Sequence, residues 1–246
     1  MPYDTSWITA DIRSPHSTDV AMPAHALPTR LLTQQESASM RLWSVIPARK
    51  GSVGVPAKNI RPLGAKSLLD RAISCADDLG GEIVISTDYE QSDYHAPKRA
   101  LVLTRPPRLA THDASMWDVL ADLGQKLGWK RQDTVVLLQP TSLHPDRPGI
   151  VRTILKEHHR PAVTVERFPE RWHPWYAISP DCYNHPPKTR QGLPVRFRAN
   201  GLAYVMSGCT ARRGSFWQDC PKFYEVSDVI NVDTLADWCQ AVSIYG

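Results

Sequence analysis

Residues 45–60 contain the side chains of this chain that are best able to do chemistry. The stretch reads V-I-P-A-R-K-G-S-V-G-V-P-A-K-N-I. Its first three residues are the end of an apolar run at residues 42–47, which predicts a buried strand. A loop with cations and glycines follows. Such a loop can bind a polyphosphate, because glycine lets backbone N–H groups approach the anion without a Cβ clash. The Walker A spacing is absent, and a basic surface turn after a core strand is the alternative.

A mostly parallel sheet is predicted to position this loop. Strands are expected at residues 42–47, 82–87, 100–104, 134–138, 162–166 and 201–206, and an extended segment at 223–232. Helices are expected at 67–79, 114–127, 148–158 and 234–244, the last with Thr234 as its N-cap. This alternation predicts a doubly wound, Rossmann-like α/β fold. Ligands of such sheets bind beyond the carboxyl ends of strands, where the polar residues named below lie.

The chain is expected to form one domain, residues 41–246, with two departures from the alternation. Residues 1–40 are rich in Ser, Thr, Pro and Ala, which predicts a flexible extension. Residues 167–199 are crowded with Pro, Trp, His and Arg and predict an excursion from the sheet.

Composition excludes several classes of protein. No apolar run approaches the roughly 20 residues of a membrane span, and no secretory signal begins the chain. The five cysteines form no C-x-x-C pair, so we expect reduced thiols in a cytoplasmic protein. The net charge is +4, and the cations stand singly in loops. Small anionic ligands are therefore expected as partners, rather than nucleic acid or a membrane.

Several blocks in a fixed order resemble the CMP–sialic acid synthetases, a family of sugar-acid cytidylyltransferases. After the loop come S-T-D at 86–88, R-P-P-R-L-A from Arg105, Q-P-T-S at 139–142, R-Q-G-L-P from Arg190, F-R-A-N-G from Phe197 and V-I-N-V-D-T ending at Thr234. The resemblance spans about residues 41–246. It implies a fold of the nucleotide-diphospho-sugar transferase type. It also implies that CTP and an acidic sugar, a nonulosonate, give a CMP-sugar and pyrophosphate, with Mg²⁺ as cofactor.

The resemblance also assigns roles to residues on the nucleotide side. The triphosphate would be held by Arg49, Ser52, Lys58 and Asn59, with Lys58 stabilising the charge of the transition state. Together with Lys58, the catalytic set would comprise Arg49 and Asp233. Arg105 would read the cytosine edge. The alternatives are a solvated loop lysine for Lys58 and, for Arg105, a loop arginine paired with a surface carboxylate.

Metal and sugar ligands follow from the same resemblance. Asp88 and Asp233 would bind Mg²⁺, which prefers carboxylate and phosphate oxygens; turn or helix caps are the alternative for both. The arginines expected at the sugar's carboxylate are Arg190 and Arg198, because a guanidinium fork suits a carboxylate. Hydrogen bonds to sugar hydroxyls are expected from Gln139 and Asn200, with loop capping as the alternative for both. The excursion at 167–199 resembles the region through which family members dimerise, so a homodimer is expected.

Four positions depart from the family's usual pattern. Val53 replaces a common lysine, His112 an aspartate, Pro145 an arginine and Asn231 the first aspartate of D-x-D-T. Arg147 lies two residues after Pro145, close to the position of the replaced arginine. Two other functions therefore stay open: a nucleotide- or sugar-binding homologue with weakened catalysis, and a transferase that uses another nucleotide or acceptor.

Overall fold

The computed structural model describes residues 40–52, 54–158, 160–167 and 197–246. The predicted extension at 1–40 and excursion at 167–199 lie almost wholly outside these residues. Both stay predictions, as does the dimer contact assigned to the excursion. Arg190 and Val53 also lie outside the described residues.

Short strands and helices alternate through the described chain. The strands are β1 (Leu42–Ala48), β2 (Pro62–Leu63), β3 (Lys66–Ser67), β4 (Glu82–Thr87), β5 (Leu101–Thr104), β6 (Thr134–Leu137), β7 (Ser142–Leu143), β8 (Ala162–Arg167), β9 (Phe197–Ser207), β10 (Lys222–Glu225) and β11 (Ile230–Asn231). The α-helices are α1 (Leu68–Leu79), α2 (Met116–Leu127), α3 (Arg147–Lys156), α4 (Gly208–Arg213) and α5 (Leu235–Tyr245).

A seven-stranded sheet forms the centre of the fold, in the order β10-β8-β9-β6-β1-β4-β5. Neighbouring strands pair in parallel except at β9, which is antiparallel to both β6 and β8. Strands β1, β4 and β6 are apolar and buried on both faces, as expected for a parallel sheet covered on both sides. The predicted mostly parallel α/β sheet is confirmed.

The antiparallel direction of β9 brings its beginning to the edge where the parallel strands end. Leu137, the last residue of β6, pairs with Tyr204, and Arg198 pairs with Glu166 near the end of β8. The first residues of β9 therefore extend past the end of β6. The F-R-A-N-G block thus lies at the same edge as the loop that follows β1.

Helices cover both faces of the sheet. Ile73 of α1 and Ile154 of α3 belong to the core on one face, and Leu120 of α2 packs with Trp129 on the other. A third apolar cluster lies under α5, where Trp238 packs with residues of β2, β7 and β11. This cluster also contains Val55 and Val232, so it holds the segment before α5, which carries Asp233, against the loop that follows β1.

Most of the expected element bounds agree with the structure, although the two-residue strands β2, β3 and β7 were not expected and other differences exist. Strand β9 begins at Phe197 rather than at residue 201, the extended segment 223–232 contains two short strands in different sheets, and α4 was not expected. The predicted N-cap of the last helix is confirmed, because the Thr234 side chain accepts a hydrogen bond from the Asp237 N–H.

Candidate functional site

The loop after β1 is closed by Asn59. Its side-chain Nδ2 donates to the carbonyl of Arg49 at 3.1 Å, and its own carbonyl accepts from the N–H of Leu69 at 2.8 Å. The Arg49 guanidinium donates to the carbonyl of Gly51 at 3.2 Å. Asn59 is buried, and its Oδ1 has no partner within the described structure. Asn59 therefore shapes the loop through these hydrogen bonds, and its contact with a triphosphate stays a prediction.

A cleft of ≈ 460 Å³ lies beside this loop. Its walls include seven of the residues expected from sequence: Arg49, Ser52, Lys58, Asn59, Arg105, Gln139 and Asp233. These residues come from the loops that follow three strands, β1, β5 and β6, and from the segment before α5. The predicted nucleotide side is thus brought together in one place.

Lys58 and Asp233 form an ion pair across the mouth of the cleft. The Lys58 Nζ lies 2.8 Å from Asp233 Oδ1 and 2.8 Å from the carbonyl of Val232. The Lys58 side chain is 13% exposed, whereas that of Asp233 is 72% exposed. Lys58 is therefore largely buried and fixed by two contacts. The alternative interpretation, a solvated loop lysine, is wrong.

Gly54 lets the loop pack against the Asp233 backbone. A Cβ at this position would lie 2.0 Å from the Asp233 carbonyl oxygen, a distance at which no side chain fits. The two backbones therefore pack directly against each other, which fixes the loop after β1 relative to the Asp233 segment.

Arg105 lies buried at the end of β5. Its side-chain Nη2 donates to the carbonyl of Ser86 at 2.9 Å, and its backbone N–H donates to the carbonyl of Thr87 at 2.9 Å. Burial lowers the pKa of the Arg105 guanidinium, with the charge of Asp88 acting in the opposite direction. The alternative of a surface arginine paired with a carboxylate is therefore wrong for Arg105. The Ser86 contact fixes a cation in the wall of the cleft.

Asp88 follows β4 and lies outside the lining of the cleft. Its Oδ1 accepts a hydrogen bond from the N–H of Lys50, so it contacts the same loop that Lys58 joins to Asp233. The two carboxylates thus flank the loop, and Asp233 is well exposed. Magnesium takes one or two carboxylates and completes its octahedron with phosphate oxygens and water. The donor chemistry of Asp88 and Asp233 fits such an ion, although the described residues contain no cluster of three metal-ligating side chains.

A second cavity, of ≈ 330 Å³, adjoins the first. Gln139, Thr141 and Asp233 line both cavities, so they form the shared wall. Arg198 and Asn200, from the start of β9, line the second cavity as well. The predicted sugar residues that the structure describes therefore lie next to the nucleotide side. Arg190 stays a prediction.

Arg198 is paired with a carboxylate of the neighbouring strand. Its guanidinium forms a close ion pair with Glu166, which is the cross-strand partner of Arg198 in the sheet. An acidic ligand in the second cavity would therefore compete with Glu166 for this arginine.

Asn200 uses its side chain within the fold. Its Oδ1 accepts from the Thr164 hydroxyl at 2.7 Å and from the N–H of Leu202 at 3.2 Å, and its Nδ2 donates to the carbonyl of Val226 at 3.4 Å. These bonds tie β9 to β8 and match the capping alternative. A contact between Asn200 and a sugar hydroxyl stays a prediction.

Gly201 and Gln139 meet at the wall between the cavities. Gly201 has a φ of +71°, which disfavours any other residue, and a Cβ there would lie 2.3 Å from Gln139 Oε1. The glycine of F-R-A-N-G therefore makes room for the glutamine of Q-P-T-S.

Sequence reasoning did not select several residues at or beside this site, among them Thr141, Tyr204, Asp237 and Glu166. Tyr204 lines the second cavity with 8% of its surface exposed, and burial raises its pKa to about 12. Asp237 lines the same cavity and accepts hydrogen bonds from the N–H groups of Asp233 and Thr234. The D-T-L-A-D spacing of a capping box could have found Asp237, whereas only the strand register reveals Glu166.

The departures from the family pattern have visible consequences. His112 lines the first cleft, and its Nδ1 lies 3.4 Å from Arg49 Nη2. Asn231 accepts a hydrogen bond from the Ser142 hydroxyl at 2.8 Å. Arg147 does not reach the cleft. It is buried and donates to the carbonyls of Ser142 and Leu202, so it braces the two segments that wall the second cavity.

Known proteins resemble this chain in sequence. A family profile described as Cytidylyltransferase matches residues 44–157. A CMP-N,N'-diacetyllegionaminic acid synthase from Legionella pneumophila is 32% identical over 228 residues, which are 81% of this chain and 94% of that protein. An N-acylneuraminate cytidylyltransferase from Streptococcus agalactiae is 35% identical over 108 residues, 42% of this chain and 26% of that protein.

Solved structures share the fold. A CMP:2-keto-3-deoxy-manno-octonic acid synthetase complexed with CTP aligns over 83% of this chain and 98% of its own, with a TM-score of 0.56 and 18% identity. A UTP-bound UGPase from Acinetobacter baumannii aligns over 84% of this chain and 94% of its own, with a TM-score of 0.62 and 14% identity. At these identities the structures support the α/β fold, and the sequence match over nearly the whole Legionella protein supports the family. The chain belongs to the cytidylyltransferase family, among the proteins that resemble the CMP–sialic acid synthetases.

Proposed function

We propose that this protein transfers a cytidylyl group from CTP to an acidic sugar of the nonulosonate class, releasing pyrophosphate and a CMP-sugar. The observation that carries the proposal is the pair of adjoining cavities with a shared wall at Gln139, Thr141 and Asp233. One cavity has the cations that a triphosphate needs, and the other has an arginine suited to a carboxylate. The relatives from Legionella and Streptococcus bear the names of enzymes that make CMP-linked acids.

The loop after β1 is the proposed triphosphate site. Arg49 and Lys58 supply positive charge, while Ser52 and the glycine-bearing backbone supply hydrogen-bond donors. Arg105 at the end of β5 is the proposed reader of the cytosine edge. The contact to Ser86 fixes its guanidinium in the cleft wall, so little conformational entropy is lost when a base binds.

The reaction forms a bond between a sugar hydroxyl oxygen and the α-phosphorus of CTP while the bond to pyrophosphate breaks. The hydroxyl proton passes to water at the open mouth of the cleft. Negative charge moves onto the leaving pyrophosphate, and a cation already held in place stabilises it without reorganisation. Lys58 is proposed for that role because its ammonium group is fixed at 2.8 Å from both Asp233 Oδ1 and the Val232 carbonyl.

Magnesium is the proposed cofactor. Asp88 and Asp233 would hold it together with phosphate oxygens, and when bound it neutralises charge on the triphosphate. Asp233 Oδ1 contacts Lys58, so this carboxylate would hold both the metal and the ammonium group.

The second cavity is the proposed sugar site. Arg198 and Arg190 would bind the carboxylate of the acid, and Gln139 would hydrogen-bond a hydroxyl near the shared wall. Asn200 is proposed to contribute through the geometry of β9, since its side chain is engaged by Thr164 and Leu202.

No helix of the described residues is long and apolar enough to cross a membrane. A cytoplasmic homodimer is part of the proposal.

A binding protein with weakened catalysis is the second candidate, favoured by Asn231. This residue lines the sugar cavity with a neutral side chain held by Ser142, so it adds no negative charge next to Asp233. This candidate predicts that CTP binds but that no product forms in the presence of Mg²⁺.

The proposal is tested by pyrophosphate release from CTP and Mg²⁺ with a panel of nonulosonic acids, followed by identification of the CMP-sugar. Thermal-shift titrations with CTP, UTP and ATP accompany it, because a ligand raises the melting temperature according to its concentration relative to its affinity. Turnover with one or more acids and the largest shift with CTP support the proposal. CTP binding without product supports the second candidate, and a larger shift with UTP or ATP contradicts the assignment to CTP.

A further inference from the structure

A third cavity, of ≈ 170 Å³, lies behind the two that form the proposed active site. It shares no lining residue with either of them. Its walls come from β3, α1, the stretch from β7 to the start of α3, and the last residue of α5. The short ribbon of β7 and β11, in which Ser142 pairs with Asn231, separates it from the sugar cavity. The third cavity is therefore a distinct feature of the fold.

Three cations line this cavity: Lys66, Arg71 and Arg147. None of them has a carboxylate within ion-pair distance among the described residues. Lys66 Nζ donates to the Ser74 hydroxyl at 2.8 Å, and Arg71 Nη2 donates to the carbonyls of Leu63 and Tyr245. These partners are neutral, so no direct ion pair neutralises Lys66 or Arg71 among the described residues.

Arg147 is the unusual member of this group. Its side chain is buried, and its guanidinium bonds only carbonyl oxygens, at 2.9 and 2.6 Å to Leu202 and at 3.1 Å to Ser142. Burial lowers its pKa to about 10. Buried charges in proteins are normally paired with an opposite charge. A cation covered in this way, at the wall of a cavity, suits an anion inside that cavity.

The remaining lining residues limit the size and charge of such an anion. Asp78 contributes one carboxylate against the three cations, so the cavity has an excess of positive charge. The Ser74 hydroxyl adds a neutral polar group. A volume of ≈ 170 Å³ accommodates a tetrahedral oxyanion with some water, whereas a nucleotide needs a cleft like the ≈ 460 Å³ one at the active site.

We propose that the cavity lined by Lys66, Arg71 and Arg147 binds a small oxyanion of the phosphate class, outside the active site. Lys66 and Arg71 bind it from β3 and α1, and Arg147 lies behind it. Arg147 also holds Ser142 and Leu202, the chain neighbours of Thr141 and Gly201 in the wall of the sugar cavity, so it connects the anion site to that wall.

Binding of inorganic phosphate, measured by isothermal titration calorimetry, tests the proposal. The measurement uses Lys58→Met protein, so that the proposed triphosphate site contributes less to the signal. Lys66→Glu introduces a negative charge at the cavity and should weaken phosphate binding about tenfold, because it replaces an attraction by a repulsion at short range. Lys156→Glu is the control, because it makes the same charge change at an exposed lysine at the end of α3. It should leave the affinity for phosphate unchanged. Melting temperatures without phosphate show that both variants fold.

The outcomes separate this proposal from the proposed function. Saturable phosphate binding that Lys66→Glu weakens and Lys156→Glu preserves supports the cavity, whether or not CTP turnover is found. CMP, which is too large for the cavity, should not displace the phosphate. Absence of saturable binding, equal weakening by both variants, or displacement by CMP overturns the proposal.

Discussion

The ammonium group of Lys58 lies 2.8 Å from Oδ1 of Asp233, although 175 residues separate them in the sequence. This ion pair joins the loop after the first strand to the segment before the last helix. It places a cation and an exposed carboxylate at the boundary between the two cavities. The proposed chemistry depends on this arrangement, because one residue would stabilise phosphate charge and the other would bind the metal.

Replacing Lys58 with Met should lower kcat/KM for CTP by about 100-fold, the effect of removing one preorganised donor from a transition state. Steady-state pyrophosphate release measures it. Lys98→Met, an exposed lysine outside both cavities, is the control and should keep activity. Activity of Lys58→Met close to that of the unchanged protein would show that Lys58 has no catalytic role.

Replacing Gly54 with Ala should raise the KM for CTP by about tenfold or more, because a Cβ 2.0 Å from the Asp233 carbonyl forces the loop to move. Gly128→Ala is the control: its Cβ meets no atom within 4 Å, so it should cost about 1 kcal/mol of stability for its positive φ and leave the KM unchanged. The idea fails if both variants change KM equally.

Replacing Glu166 with Gln should lower the KM for the sugar acid up to about fivefold and leave the KM for CTP unchanged. The substrate carboxylate would no longer compete with Glu166 for Arg198, and an exposed ion pair contributes up to about 1 kcal/mol. Glu225→Gln, which breaks the neighbouring pair with Arg167, is the matched control. A higher KM for the acid in Glu166→Gln would indicate that the pair itself is needed for binding.

Asp237 should make the free energy of unfolding depend on pH in the acidic range. Partial burial acts to raise its pKa, but hydrogen bonds from Thr234 and Asp233 and the charge of Lys58 outweigh it and lower the pKa. A carboxyl whose pKa is lower in the folded state stabilises the fold above its unfolded pKa of about 3.9, and that stability is lost as pH falls through the folded pKa.

Asp237→Asn should therefore lower the free energy of unfolding by about 0.5–1 kcal/mol at neutral pH, the scale of a helix cap. The difference from the unchanged protein should shrink as the pH falls below 3.9. Urea unfolding at several pH values measures it. Asp118→Asn, an exposed aspartate in the first turn of α2, is the control. A difference that does not change with pH would contradict the assigned hydrogen bonds.

Local patterns predicted much of the fold. Apolar runs located β1, β4 and β6, because strands buried on both faces leave a continuous signal. The same reasoning placed β9 too late, because the first residues of this strand pair only with β8 and their mixed sequence, F-R-A-N, forms no apolar run. Helix α4 was missed because its six residues are too few for a periodic pattern.

Site residues could be predicted from sequence where they belong to a recognisable motif. The loop motif selected Arg49 and Lys58, and both lie in the cleft. No local pattern could show that Glu166 pairs with Arg198, since that contact depends on the register of two strands. The burial of Arg147 depends in the same way on how the segment after β7 packs against β9.

A crystal structure with CTP and the acid that the turnover assay identifies, prepared without metal so that no product forms, tests the central claim most directly. We predict the triphosphate in contact with Arg49 and Lys58, the acid's carboxylate at Arg198, and a sugar hydroxyl about 3–3.5 Å from the α-phosphorus, as in-line attack requires. Either ligand bound outside the two adjoining cavities would contradict the account.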